Sequence, residues 1–167
     1  MKELIWMRHG KSDWNAAWTD DAGRALRPRG QRAAATMGRF LAAAGLAPDR
    51  LIASHAVRAR DTAEGARVAG GFTASLEIDD GLYAANLPAA LDLVRRQNDE
   101  LGRLMVVGHE PIASGIVATL SGARVAMVTA AIAVIDLEVE AWSAVTAGCG
   151  RLRLFLPPRP LSAALDD

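Results

Sequence analysis

An α/β sandwich of three layers, with a mainly parallel sheet between helices and an antiparallel hairpin at one edge, is the fold this sequence predicts. Three observations predict it. Short apolar runs alternate with segments of helical period, the pattern of strand–helix repeats and a parallel sheet. Three of these runs end in chemistry-bearing residues: Leu4-Ile5-Trp6-Met7 leads into Arg8-His9-Gly10, Leu51-Ile52-Ala53 into Ser54-His55-Ala56-Val57-Arg58, and Leu104-Met105-Val106-Val107 into Gly108-His109-Glu110-Pro111. The last third changes style, becoming rich in β-branched and small apolar residues over Ala130 to Val139.

Each helix follows from its own period and punctuation. From about Arg29 to Ala44 the residues Ala33, Met37, Phe40, Leu41 and Ala44 fall on one face, and Gly45 is placed to end the helix. A second helix begins near Val57 and ends at Gly70-Gly71, so Arg58 lies in its first turn. Asn86 followed by Leu87-Pro88 reads as a cap and first turn, with Leu91 and Val94 on the apolar face of a third. A fourth starts at Pro111, carries Ile112, Ile116, Val117 and Leu120 inward, and stops at Gly122. Beyond Val139, Leu152, Leu154 and Leu156 alternate with Arg151, Arg153 and Phe155 after the turn-like Gly148-Cys149-Gly150, which predicts the edge hairpin with Trp142 as its anchor. Pro157-Pro158-Arg159-Pro160 is expected to break regular structure and close a single domain of residues 1–160, leaving 161–167 as a tail in which little need be ordered.

Bulk composition narrows the function. With 167 residues, 51% apolar and 23% charged, the chain has the size and core of one globular unit. Its formal net charge of zero supplies no general field for nucleic acid or an anionic membrane, so any attraction for phosphate must be local. Cys149 is alone, which excludes an internal disulfide and offers no support for cysteine-based phosphate chemistry. The apolar start is interrupted by Arg8, and the run from Val125 to Ile135 is shorter than the roughly 20 residues of a membrane span. These features predict a cytoplasmic protein.

The chemistry expected of the three strand ends is phosphoryl transfer. Ligands of open α/β sheets bind beyond the carboxyl ends of parallel strands, so Arg8, His9, Arg58 and His109 would converge in one crevice. A phosphoryl group in transit carries negative charge on its equatorial oxygens and needs an in-line nucleophile. Arginine's planar fork suits the first need, which assigns Arg8 and Arg58 to the oxygens. A neutral imidazole suits the second, being nucleophilic near physiological pH and able to leave again from phosphorus. His9 takes that role, provided its other ring nitrogen donates to a fixed acceptor such as a backbone carbonyl. His109 would stabilise developing charge, helped by the amides that follow Pro111 at a helix start.

These segments, with Ala59-Arg60-Asp61-Thr62-Ala63 continuing the second, resemble the histidine phosphatase superfamily, the phosphoglycerate-mutase-like proteins, in order and spacing across nearly the whole chain. Lys11-Ser12-Asp13-Trp14, Asp21, Arg24-Ala25-Leu26 ahead of Gly30, Leu82-Tyr83 and the short length are similar to the small bacterial SixA-type phosphohistidine phosphatases. The resemblance implies His9 as the phosphorylated nucleophile and Arg8, Arg58 and His109 as the phosphate pocket, with no metal and no cofactor. It implies Ser12 and Asn15, in the loop after the nucleophile, as further substrate contacts; His55, on the approach to the second helix, is a candidate from its position alone. The expected substrate is a phosphorylated protein or a small phosphorylated molecule.

Two departures from the family pattern bear on the substrate. His55 stands where many relatives have proline. Ala84 follows Leu82-Tyr83 where phosphoester-cleaving relatives place an acid that protonates the leaving group. Such assistance is worth ~10²–10⁴-fold for an alkoxide, whereas the P–N bond of phosphohistidine is more labile. The gap favours phosphohistidine or an activated ester unless Asp79 or Asp80 replaces the acid. Other readings remain at this point: a small-molecule phosphomonoesterase of the same superfamily, a non-catalytic phosphate- or phosphoprotein-binding module, and a metallohydrolase built on His9, His109 and a carboxylate, for which the sequence lacks tight metal-ligand spacing.

Overall fold

The computed structural model describes residues 1–15 and 17–165. Strands β1 (Lys2–Arg8), β2 (Arg50–Ser54), β3 (Leu76–Asp79), β4 (Arg103–Gly108), β5 (Ile132–Leu137) and β6 (Gly150–Leu156) form one sheet in the order β3-β2-β4-β1-β5-β6. The first four strands in that order run parallel. β5 is antiparallel to both β1 and β6. Helices α1 (Pro28–Ala43), α2 (Val57–Gly70), α3 (Leu87–Arg95), α4 (Ile112–Ser121) and α5 (Pro158–Leu165) complete the described secondary structure, apart from three short 3₁₀ turns.

Strand alternation divides the core between the two faces. Leu4, Trp6, Leu104 and Val106 meet Leu91, Leu93 and Val94 of α3 and Ile116, Val117 and Leu120 of α4 on one side. Their neighbours Ile5, Met7, Met105 and Val107 meet Met37 and Leu41 of α1 and Ala59, Ala63 and Ala66 of α2 on the other. A strand covered on both faces reads as an unbroken apolar run, which is why these segments were visible in the sequence.

Local signals account for the helix ends. Pro28 occupies the first turn of α1, where its missing N–H costs nothing. Gly45 follows α1 with φ +69°, and Gly71 ends α2 at φ +62°, the left-handed conformation that glycine adopts without strain. Asn86 caps α3 by accepting from Ala89 N at 2.9 Å. Between α1 and α2, Gly38 lies so close to Ala66 that an added Cβ would fall 2.1 Å from its carbonyl oxygen. That crossing explains why the buried face of α1 is Gly30, Ala34, Met37, Gly38 and Leu41, whereas Ala33 and Phe40 are half-buried and Ala44 is exposed.

The β5–β6 hairpin forms the predicted edge, and Trp142, in a 3₁₀ turn between its strands, is completely buried. Its indole N–H donates to Leu101 O at 3.0 Å and its backbone N–H to Asp99 Oδ1 at 2.6 Å. The expected break at residues 157–160 is corrected: Pro158 and Pro160 lie in the opening turn of α5, which continues to Leu165 and packs against α1.

Candidate active site

The parallel strands bring three chain segments to one level. Arg8 at the end of β1 pairs in register with Gly108 at the end of β4, while Ala53 of β2 pairs with Val107. The residues that follow therefore emerge side by side. His9, His109 and Arg58 line a cavity of about 320 Å³ together with Arg8, Asp21, Tyr83 and Glu110.

His9 is held by its own loop. Its backbone N–H donates to Gly108 O at 3.0 Å, and the next amide, Gly10 N, donates to Thr62 Oγ1 at 2.8 Å. Thr62 in turn donates to Arg58 O at 2.6 Å, tying the His9–Gly10 loop to the first turn of α2. Gly10 passes over Gly30 at the start of α1, where a Cβ on Gly10 would lie 2.9 Å from Gly30 O. His9 is 8% exposed, and its Nδ1 lies 2.8 Å from Gly10 O. A carbonyl only accepts, so Nδ1 carries the proton and Nε2 keeps its lone pair. Burial pushes the ring's pKa down from 6.5 to about 3, with His109, Arg58 and Arg8 adding repulsion and the Gly10 hydrogen bond partly opposing. His9 is thus a neutral base with one defined tautomer at neutral pH.

Around it stand the cations and a second imidazole. Arg58 is 5% exposed and donates through Nη1 to Asp21 O at 2.6 Å and through Nη2 to Asp21 Oδ2 at 2.8 Å. Arg8 donates through Nη1 to Met127 O at 2.9 Å. The Nε of each arginine is buried without a partner. Buried donors left unpaired are costly. Both guanidinium groups belong to residues that line the cavity, where their charge suits a tetrahedral oxyanion. The ring of His109 lies 5.2 Å from that of His9, and its Nε2 is 2.9 Å from Ser54 Oγ. Burial lowers its pKa to about 4, assisted by Arg58 and partly offset by Asp21.

Not every expected contact reaches the cavity. Ser12 is buried, with its hydroxyl accepting from Arg24 Nη1, and Asn15 is exposed with its backbone N–H on Asp13 Oδ1 at 2.9 Å. Neither lines the cavity. His55 also stands outside the lining, packing its ring 5.1 Å from Tyr83 with Nδ1 3.6 Å from Asp80 Oδ1. Two of the amides expected to help are already engaged: Ala113 N donates to His109 O at 2.9 Å and Ser114 N to Glu110 Oε2 at 2.9 Å.

The carboxylates near Ala84 are also accounted for. Asp79 accepts from Leu82 N at 3.1 Å and pairs with Arg96 Nη2 at 2.7 Å, which places it away from the cavity. Asp80 is almost fully exposed and faces His55. Ala84 itself is exposed. In their place the structure adds Asp21, Tyr83 and Glu110 to the lining, all on loops or turns whose contacts leave no periodic mark in sequence. Asp21 accepts from Tyr83 OH at 2.8 Å. Burial raises its pKa, but the bonds from Tyr83 and Arg24 and the Arg58 charge outweigh that and hold it at about 2. Glu110 receives both the amide and the hydroxyl of Ser114.

Comparison with known proteins places these features in context. The family model of the histidine phosphatase superfamily (branch 1) matches residues 4–87. An uncharacterized protein of Mycobacterium tuberculosis is 34% identical over 164 residues, covering 92% of this chain and all of its own length. Among solved structures, SixA from Agrobacterium tumefaciens superposes with a TM-score of 0.80 at 25% identity, covering 94% of this chain and 98% of that one. The protein histidine phosphatase SixA complexed with tungstate superposes with a TM-score of 0.82 at 23% identity, covering 95% and 99%.

Proposed function

The chain belongs to the histidine phosphatase superfamily and is a phosphatase of the SixA type with a phosphoglycerate-mutase-like fold, and from that premise we propose that it removes phosphate from phosphohistidine on a protein, by way of a phosphorylated His9. One observation carries this reading: the cavity holds a neutral, oriented imidazole beside Arg8 and Arg58, yet no proton donor for a leaving group stands at Ala84 or is supplied by Asp79 or Asp80. The protein histidine phosphatase SixA, whose fold this chain shares, acts on the same bond by its name.

In the first step His9 Nε2 attacks phosphorus in line while the substrate ring departs with the P–N bonding pair. Arg8, Arg58 and His109 hold the oxygens and meet the charge that develops there. Nδ1 remains on Gly10 O, so the cation formed when His9 is phosphorylated keeps its proton on a fixed acceptor. Water then attacks phospho-His9, orthophosphate departs, and the nitrogen recovers its lone pair. Among the described residues no group of three or more His, Cys, Asp or Glu side chains is arranged to hold a metal ion. We assign β1 through α5 to one catalytic domain, the boundary expected at residue 160 moving to the end of that helix, with a cytoplasmic setting and a phosphorylated protein as partner. No described helix is long and apolar enough to cross a membrane.

A phosphohistidine-bearing protein and p-nitrophenyl phosphate, offered together, test the proposal. Turnover of the former in the presence of a chelator, with an acid-labile phosphoryl label on the enzyme, is the expected result. His9→Ala should abolish both, a loss of at least ~10⁴-fold, because it removes the nucleophile itself. Undiminished turnover by that variant overturns the mechanism. Release of phosphate from neither substrate, with phosphohistidine protected, converts the protein into a binding module.

A further inference from the structure

Beside the nucleophile stands a carboxylate that no step of the proposed hydrolysis uses. Asp21 reaches the cavity from a 3₁₀ turn at Asp21–Gly23, and its position is fixed from three sides. Arg24 donates to Oδ1 through Nε at 3.2 Å and Nη2 at 3.0 Å. Arg58 Nη2 and Tyr83 OH both donate to Oδ2 at 2.8 Å. The Asp21 backbone oxygen takes Arg58 Nη1 as well. One terminal nitrogen of a phosphate-clamping arginine therefore already faces a carboxylate, and the other is held by the same residue's neutral backbone carbonyl.

We propose that Asp21 determines specificity: it is a fixed negative charge within the phosphoryl cavity that selects the carrier of the phosphoryl group by charge, favouring a phosphorylated imidazole over anionic carriers and weakening retention of orthophosphate. The inference rests on the phosphohistidine reading given above. Orthophosphate must share Arg58 with a carboxylate, and two anions on one guanidinium repel. A phosphorylated imidazole differs because its nitrogen distant from phosphorus can bind a proton, making the ring a cation. Near Asp21 that cation is favoured. When the P–N bond breaks, its electron pair passes to the departing nitrogen, the distant nitrogen keeps its proton, and the ring leaves as neutral imidazole while phosphorus becomes bonded to His9 Nε2. No acid is needed at the departing atom, which accounts for a site that works without one at Ala84. An alkoxide or carboxylate-bearing leaving group would instead gain negative charge beside Asp21. The charged and titratable groups facing Asp21 are Arg24 of its own turn, Arg58 of α2, Tyr83 after β3, and His109 after β4.

Asp21→Asn tests this, with Asp21→Ser as a second variant lacking the charge, each checked for folding by urea denaturation. Two quantities are read: the inhibition constant of orthophosphate against p-nitrophenyl phosphate hydrolysis, and the ratio of kcat/KM for a phosphohistidine peptide to that for p-nitrophenyl phosphate. Loss of the charge should tighten orthophosphate by about tenfold and lower the ratio by about tenfold, with the phosphohistidine rate falling at lower pH than in the wild type. Unchanged or weaker orthophosphate binding shows that Asp21 merely positions Arg58 and overturns the proposal, as does an unchanged ratio. Failure of the wild-type enzyme to cleave the peptide instead refutes the phosphohistidine reading, and the orthophosphate measurement then decides the charge effect by itself.

Discussion

The hairpin edge and the strand-end cavity are built from the same sheet and treat buried polar atoms in opposite ways. At the hairpin, Trp142 is completely buried and its indole N–H is bonded to Leu101 O, while Lys2 Nζ donates to the carbonyls of Asp99 and Leu101 and lies 5.9 Å from the Trp142 ring. At the cavity, the Nε atoms of Arg8 and Arg58 are buried without partners, and two imidazoles are held neutral by burial. The first region spends its polar groups on itself. The second leaves them unpaired around a charged cavity, a local cost to stability at the place where an oxyanion is expected.

Breaking the hairpin should therefore act on stability, and breaking the cavity on turnover. Trp142→Ala removes a fully buried indole and leaves Lys2 Nζ as the remaining side-chain donor to Leu101 O, so unfolding free energy should fall by about 3–5 kcal/mol in urea titration, mainly through the cavity. The kcat of the folded fraction should stay within about twofold of wild type, because the side chain is remote from the cavity lining. A large fall in kcat at full folding would erase the distinction between the two regions.

Arg58→Lys attacks the other side. It keeps the charge but loses the fork that donates from separate nitrogens, so kcat/KM should drop by about 10²-fold. A smaller stability change than that of Trp142→Ala is expected, since lysine keeps the charge facing Asp21 and no large buried side chain is removed. Retained kcat/KM with the lysine would show that the phosphoryl oxygens depend on Arg8 and His109 rather than Arg58.

The same contrast sets what the sequence disclosed. Strand ends at Arg8-His9, Arg58 and His109 were legible because parallel strands covered on both faces are apolar throughout, and the change to polar residues marks where each strand leaves the core. Helix boundaries at Asn86, Gly71 and Gly122 were legible for a related reason, each resting on one residue's local chemistry. β3 left little mark: it is an edge strand, and Ile78 on it is 45% exposed. α5 was hidden by prolines that read as a stop until the structure placed them in a first turn. Asp21, Tyr83 and Glu110 escaped notice as cavity residues because their positions depend on hydrogen bonds between segments distant in sequence, such as Tyr83 OH to Asp21 Oδ2. Ser12 showed the converse, lying beside the nucleophile in sequence yet turned to Arg24 in space.

Acid should expose the cavity's cost with a smaller effect. His9 has a pKa near 3 in the folded protein against 6.5 when unfolded, so between those values the unfolded chain binds the extra proton. Stability supplied by keeping this ring neutral is complete above pH 6.5 and is lost as pH falls toward 3. His109, lowered to about 4, acts in the same direction, and Asp21, held at about 2, adds its loss only below the ordinary carboxylate range. Replacing His9 with glutamine removes one of these proton sites without emptying the cavity. Compared between pH 7.5 and pH 4.5 by urea denaturation, wild type should lose on the order of 1–2 kcal/mol more stability than His9→Gln. Equal losses would mean that the imidazole of His9 is as easily protonated folded as unfolded, and that the neutral nucleophile is not maintained by burial.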